Sequence, residues 1–99
     1  MWVRMAQFRL EPEAAAEAAR IYLDKGVPVV SAFPGNVGCH LLEQIGADAT
    51  FMACTFWDSK KDAKAYEDSG AAQEVAGLIR HAFVGPPELR SHQSASTTR

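Results

Sequence analysis

The order of elements along the 99 residues, strand, helix, strand, strand, helix, strand, predicts an α+β fold of the ferredoxin-like type. In that fold a four-stranded antiparallel sheet carries both helices on one face. Three observations support it. An Ala-rich run keeps a helical apolar stripe, two strand-like runs flank a short turn, and a chain of this length has material for one core only.

The first strand spans Trp2 to Leu10, where bulky and polar residues alternate and strand-favouring side chains dominate. Glu11-Pro12 ends it, since proline sits well in a first helical turn. The helix Glu13–Lys25 sets Ala15, Ala18, Ala19 and Tyr22 on one face and Glu13, Glu17, Arg20 and Asp24 on the other, and Gly26 is its expected stop. Val27–Gly35 holds two prolines and no clean period, so an irregular connection with a short helical turn after Pro28 is expected. Asn36–Ile45 and Ala49–Asp58 form an antiparallel hairpin around Gly46-Ala47-Asp48. Ser59 reads as an N-cap with Asp62 three residues on, a variant capping box. The second helix, residues 60–83, carries Val75, Ile79, Ala82 and Phe83 on one stripe and a kink or restart at Ser69-Gly70. Gly85-Pro86-Pro87 closes it, Glu88–Ser94 forms a short last strand, and residues 95–99 are a polar tail beyond a single domain of residues 1–94.

Composition narrows the function. The chain is 47% hydrophobic and 22% charged, the balance of a folded globular domain. Ten basic against twelve acidic residues give a formal charge of −2, with no basic block to follow phosphates, so nucleic acid is not an expected partner. Arg4 and Arg9 interrupt the apolar N-terminal stretch, and no run is long enough to span a membrane, so neither a signal peptide nor a membrane is expected. Two cysteines outside any CxxC spacing point to a cytoplasmic protein without a disulfide framework.

The hairpin carries apolar residues on both sides. With Gln44 opposite Ala49, one face holds Val37, Cys39, Leu41, Met52, Cys54 and Phe56, and the other His40, Leu42, Phe51, Ala53, Thr55 and Trp57. Two helices cover only one face, and an antiparallel sheet ordinarily leaves its open face polar. A homodimer joined through the sheet is therefore expected.

Two local motifs add to the element order. Phe33-Pro34-Gly35-Asn36-Val37-Gly38 leads into the second strand, and Thr55-Phe56-Trp57-Asp58-Ser59 ends the third, followed by Ala63, Tyr66 and Ser69 in the helix. This pattern resembles the antibiotic-biosynthesis-monooxygenase-like domains of the dimeric α+β barrel superfamily, from Trp2 to about Ser94. The resemblance implies two facing sheets with helices outside and one small-molecule pocket per subunit between sheet and helices. Enzymes of this kind include cofactor-independent oxygenases, in which an aromatic polyketide or quinol substrate is deprotonated and its carbanion reduces dioxygen directly. Such chemistry needs a base, a dry pocket and oxyanion donors, and neither metal nor flavin. A haem-degrading branch uses an asparagine, a tryptophan and an axial histidine. Those positions fall here on Gln7 or Phe8, on Tyr66 and on Ala76, so haem degradation is not expected.

The candidate catalytic residues are His40, Trp57 and Tyr66. His40 is a mid-strand imidazole able to act as a base, or a partly buried histidine satisfied by a local contact. Trp57 anchors a ligand oxygen or locks helix to sheet, two roles that do not exclude each other. Tyr66, and Tyr22 on the first helix, donate to a substrate carbonyl or pack in the core with the hydroxyl at its rim. Phe51, Thr55 and His81 complete the candidate ligand-binding set, with His81 also placed to oppose the helix dipole. Cys39 and His40 point to opposite faces as strand neighbours, so they form no metal site. Cys39 and Cys54, opposite each other in the assumed register, are expected to remain free thiols. No cofactor is expected. The functional alternative is a non-catalytic dimeric module that binds a small ligand or serves a structural role.

Overall fold

The computed structural model describes residues 1–95; residues 96–99, most of the expected tail, lie outside the described residues. Four strands pair antiparallel in the order β2-β3-β1-β4, with β1 Trp2–Arg9, β2 Asn36–Glu43, β3 Thr50–Trp57 and β4 Glu88–Gln93. The helices are α1 Ala15–Ile21, α2 Val27–Ser31, α3 Lys60–Asp68 and α4 Ala71–Gly77. They cover one face of the sheet, and their apolar stripes meet Phe8, Phe51, Ala53 and Trp57 in a single core.

The first helical segment runs further than the sequence predicts. Gly26 does not end it, because residues Tyr22–Gly26 form a π-helical turn that joins α1 to α2. Pro28 has no N–H to give the preceding turn, and the wider turn closes instead through the Val27 N–H donating to the Tyr22 carbonyl. Glycine at position 26 has a separate cause. A Cβ there would stand 3.1 Å from Val75 Cγ1, so its absence lets this segment approach α4 closely.

The hairpin forms with a different register from the simple one. Asn36 opposite Trp57 keeps it, but Val37 is an extra residue, and from Gly38 opposite Phe56 onward the pairing is displaced by one. Asn36 Nδ2 holds this bulge by donating to the carbonyls of Gly38, at 3.2 Å, and Phe56, at 3.3 Å. The displacement reassigns the faces. Cys39 now lies opposite Thr55 on the helix side, while His40 lies opposite Cys54 on the open side. The expected joining of His40 with Phe51, Thr55 and Trp57 is therefore corrected, and Cys39 and Cys54 are free thiols on opposite faces.

Ser59 caps α3 as its spacing predicts. Its hydroxyl accepts from the Asp62 N–H at 3.2 Å and donates to Asp62 Oδ2 at 3.0 Å. The Pro34-Gly35 turn is clamped against this cap, with the Asp58 N–H donating to the Gly35 carbonyl at 2.9 Å. Between α3 and α4 the chain restarts at Gly70, whose φ of +85° is left-handed. Ser69 bridges the break, donating to the Tyr66 carbonyl and accepting from the Ala71 N–H.

The two motifs meet at Gly35. Its φ is +83°, and a Cβ would fall 2.3 Å from Asp62 Cγ, whereas at Gly46, with φ +85°, a Cβ would meet nothing within 4 Å. Gly35→Ala is expected to cost about 2–4 kcal/mol, combining backbone strain with displacement of the cap, against about 1 kcal/mol for Gly46→Ala. Urea unfolding of the two variants measures the difference; equal costs would mean that the turn does not depend on the Asp62 contact.

Candidate functional site

A cavity of about 370 Å³ opens between the sheet and the helical layer. Its existence follows from small side chains placed where a core would otherwise close. Ala6 and Ala53 lie directly opposite each other on β1 and β3, and Ala72 and Ala76 face them from α4. Phe8 and Phe83 close one end, their rings 5.4 Å apart, and Gly85-Pro86-Pro87 with Leu89 forms part of the exposed outer side. Polar side chains line it from the sheet, Arg4 and Thr55, from the π-helical turn, Tyr22, and from the later helical segments, Tyr66, Gln73 and Arg80.

The first four are held from behind. Trp57, fully buried, donates from Nε1 to Thr55 Oγ1 at 2.9 Å, and Thr55 Oγ1 donates to the Arg4 carbonyl at 3.4 Å. Tyr66 stacks beside Trp57 at 4.9 Å and meets Phe33 edge-on at 5.4 Å, so its ring is fixed by aromatic packing. Its hydroxyl makes no hydrogen bond among the described residues, and none of the buried polar side-chain atoms lacks a partner, so this hydroxyl keeps access to open space. Tyr22 Oη contacts Cys39 Sγ at 3.5 Å. Arg4 lies 5.9 Å from the Tyr66 ring centre and pairs with Glu67 through Nε at 3.0 Å.

Burial sets the protonation of these groups. It pushes the Tyr22 hydroxyl far above the usual phenol range, with the Cys39 contact adding to the effect. It raises Tyr66 as well, although the nearby Arg4 charge draws that value back. Both thiols are also raised by burial. The tyrosines are thus neutral hydrogen-bonding groups at neutral pH, and among the described residues no Asp, Glu, His, Lys or Cys lines the cavity.

The structure brings together Tyr22, Thr55 and Tyr66 of the residues singled out in the sequence. Trp57 stands immediately behind them without lining the space. Phe51 is buried one layer back, stacked on Phe8 at 6.0 Å. His40 is exposed on the open face, with its ring edge-on to Phe56, because the bulge turned it there. His81 is exposed in the 3₁₀ turn Arg80–Ala82, outside the cavity. By sequence Arg4 is one of two first-strand arginines, and the signal that singles it out is its register with Thr55, two residues along each strand from the Ala6–Ala53 pair. Among the described residues no group of His, Cys, Asp and Glu is placed to hold a metal ion, and no helix is long and apolar enough to cross a membrane.

Comparison with known proteins agrees with this fold. A family model described as antibiotic biosynthesis monooxygenase matches residues 1–78. Among solved structures, one from Bordetella bronchiseptica assigned to the antibiotic biosynthesis monooxygenases superimposes with a TM-score of 0.82 at 19% identity, covering 96% of this chain and 97% of that one. One from Caulobacter crescentus CB15 with the same assignment gives 0.81 at 16% identity, covering 96% and 90%. SnoaB, a cofactor-independent oxygenase from Streptomyces nogalater, gives 0.80 at 17% identity, covering 97% and 94%. At these identities the likeness is one of fold. No curated protein matches the chain.

The tyrosines supply a direct check, since the chain has only two. Their preference for the protonated form carries a pH dependence of known sign: the folded state loses nothing below about pH 10, where an unfolded tyrosine is still protonated, and loses stability as pH rises above it. In an ultraviolet titration two ordinary tyrosines would give about one tyrosinate per chain at pH 10. The folded protein is expected to give less than about half of that, with the remainder appearing on alkaline unfolding. A full equivalent at pH 10 in the folded state would show that both hydroxyls are solvated.

Proposed function

The chain belongs to the antibiotic biosynthesis monooxygenase family, and from that premise we propose that it is a cofactor-independent monooxygenase acting on a small aromatic or quinol-type substrate. The observation that carries the reading is the cavity itself: an apolar space of about 370 Å³ with Arg4, Tyr22 and Tyr66 on its wall. Apolar surface takes the aromatic body of a ligand, and a few placed donors orient its oxygens.

In the proposed reaction the substrate loses a proton from an activated CH₂ carbon, and the carbanion gives its electrons to dioxygen. A C–O bond forms and the peroxide is protonated. Loss of the second C–H proton with cleavage of the O–O bond leaves a carbonyl and one water, so that CH₂ + O₂ becomes C=O + H₂O. Dioxygen is the only oxidant, and the carbon supplies all four electrons. Tyr66 donates to the oxyanion that develops during this sequence, where a preorganised donor in a dry site is worth most. Tyr22 and Arg4 fix the oxygens of the ring system. Trp57 acts through Thr55 and the Tyr66 ring as a positioning residue.

Two copies of the chain complete the proposed unit. The open sheet face carries Val3, Met5, Met52 and Phe56 half-buried along its two central strands, with His40, Arg90 and Glu88 exposed on its edge strands. An apolar centre with a polar rim is the anatomy of an interface, and a second sheet of the same kind is its complement. A cytoplasmic location agrees with the free thiols. A cavity that only binds its ligand is the alternative reading, and the lack of a lining carboxylate or imidazole is what favours it.

Oxygen uptake with a panel of quinols and anthrones tests the oxygenase. Tyr66→Phe, which keeps the ring packing, is expected to lower kcat/KM at least about tenfold. Binding of these compounds without oxygen consumption would establish the alternative. For the dimer, Phe56→Asp is expected to give a monomer in sedimentation equilibrium, and a wild-type protein that is monomeric at micromolar concentration would remove the facing-sheet arrangement.

A further inference from the structure

We propose that the cavity binds its aromatic ligand as an anion, with the negative charge shared by two coplanar oxygens held on the Nη groups of Arg4. This rests on the reading of the cavity as the site of a small aromatic substrate, and it names the acid–base class of that substrate.

Arg4 projects from the helix-facing side of β1 onto the cavity wall, and its side chain is only 15% exposed. Its Nε is spent on Glu67 Oε1. No hydrogen bond to any described residue leaves Nη1 or Nη2, and neither nitrogen is sealed from open space. A guanidinium keeps its charge at any pH the fold survives, so these donors persist in a wall that is otherwise mostly apolar. Donors with no protein acceptor in such a place are free to exchange solvent for the oxygens of a ligand. The planar fork of the guanidinium matches two oxygens in one plane, as in a carboxylate or an enolised 1,3-dicarbonyl.

The rest of the wall has the same sign. Among the described residues Arg80, at the outer side, is the second charged lining residue, and no carboxylate faces the space. Glu67 engages Arg4 through Nε alone, and its side chain is 44% exposed. Its charge is therefore screened by solvent, and it neutralises the guanidinium only in part.

The same inventory bears on the reaction. No lining side chain is an ordinary proton acceptor, because the titratable groups there are two arginines and two tyrosines that burial keeps protonated. The acidity lies in the ligand. Arg4 shifts the ligand's own ionisation toward the anion, and the proton leaves to water. A phenol ortho to a carbonyl, or an enolised 1,3-dicarbonyl, meets both demands: its oxygens carry charge onto Arg4 while its conjugated carbon carries the electron density that meets dioxygen. An arene carboxylate shares the recognised charge and lacks the nucleophilic carbon.

Two probe pairs test the proposal. Wild-type protein is expected to bind 2-naphthoate at least about tenfold more tightly than neutral 2-naphthamide, by calorimetry at neutral pH. With 2-acetyl-1-naphthol, whose anion absorbs at longer wavelength than the neutral form, the apparent pKa of the probe is expected to fall by about one unit or more on binding. Arg4→Gln is expected to abolish the preference and the shift while still binding 2-naphthamide, which reports that the cavity has folded. Glu67→Gln, at a half-exposed position, is expected to strengthen the preference about threefold by releasing the guanidinium. Equal binding of naphthoate and naphthamide by wild type, failure to bind either, or a preference unchanged in Arg4→Gln overturns the proposal. Anion preference without oxygen uptake from any enol upholds the anion site and removes the oxygenase reading, whereas oxygen uptake without anion preference does the reverse.

Discussion

One extra residue in the second strand decides what this sheet presents to each side. Val37 bulges between Asn36 and Gly38, and the Asn36 side-chain amide spans the irregularity by donating to the carbonyls on both strands. Because side chains alternate with a period of two, a displacement of one residue exchanges the faces of everything beyond it relative to the partner strand. Cys39 is thereby placed on the helix side against Tyr22, and His40 on the open side beside Cys54. The separation of His40 from the cavity follows from that displacement.

The cavity survives because its surroundings are over-determined. On one flank Trp57, Tyr66 and Phe33 form a packed aromatic group, and on the other Phe8 lies between Phe51 and Phe83. Between them the paired Ala6 and Ala53 and the facing alanines of α4 leave space that no neighbour fills. Protein interiors ordinarily close such gaps, since unfilled volume forfeits dispersion contacts. Rigid aromatic walls prevent the collapse. They also fix the Tyr66 ring and the Arg4 side chain relative to one another, which leaves these groups little freedom to lose. The same sheet thus presents two unlike faces, the wall of the cavity on its helix side and a half-buried apolar strip on the other.

Much of this was legible in advance. The strands, the hairpin, the Ser59 cap and the Ser69-Gly70 break are written in local alternation, capping chemistry and glycine placement, and local rules suffice to read them. The helix passing through Gly26 and Pro28 was not legible, because a π turn that absorbs a missing N–H leaves no periodic trace. Nor was Arg4 as a site residue, since a strand arginine reads as solvated until its neighbours on the sheet and the helix above it are known. His40 was misplaced for the same kind of reason, as a register shift of one residue does not alter the apolar pattern of either strand.

What the sequence determined by itself was the order of elements, the fold class and the apolar character of both sheet faces, all consequences of short-range periodicity. What only the tertiary structure decided was which side chains share a space: Arg4 with Tyr22 and Tyr66, and His40 apart from them. Those juxtapositions are set by a bulge and by close helix–sheet contacts between residues distant in the chain, and their energies depend on geometry that no single segment carries.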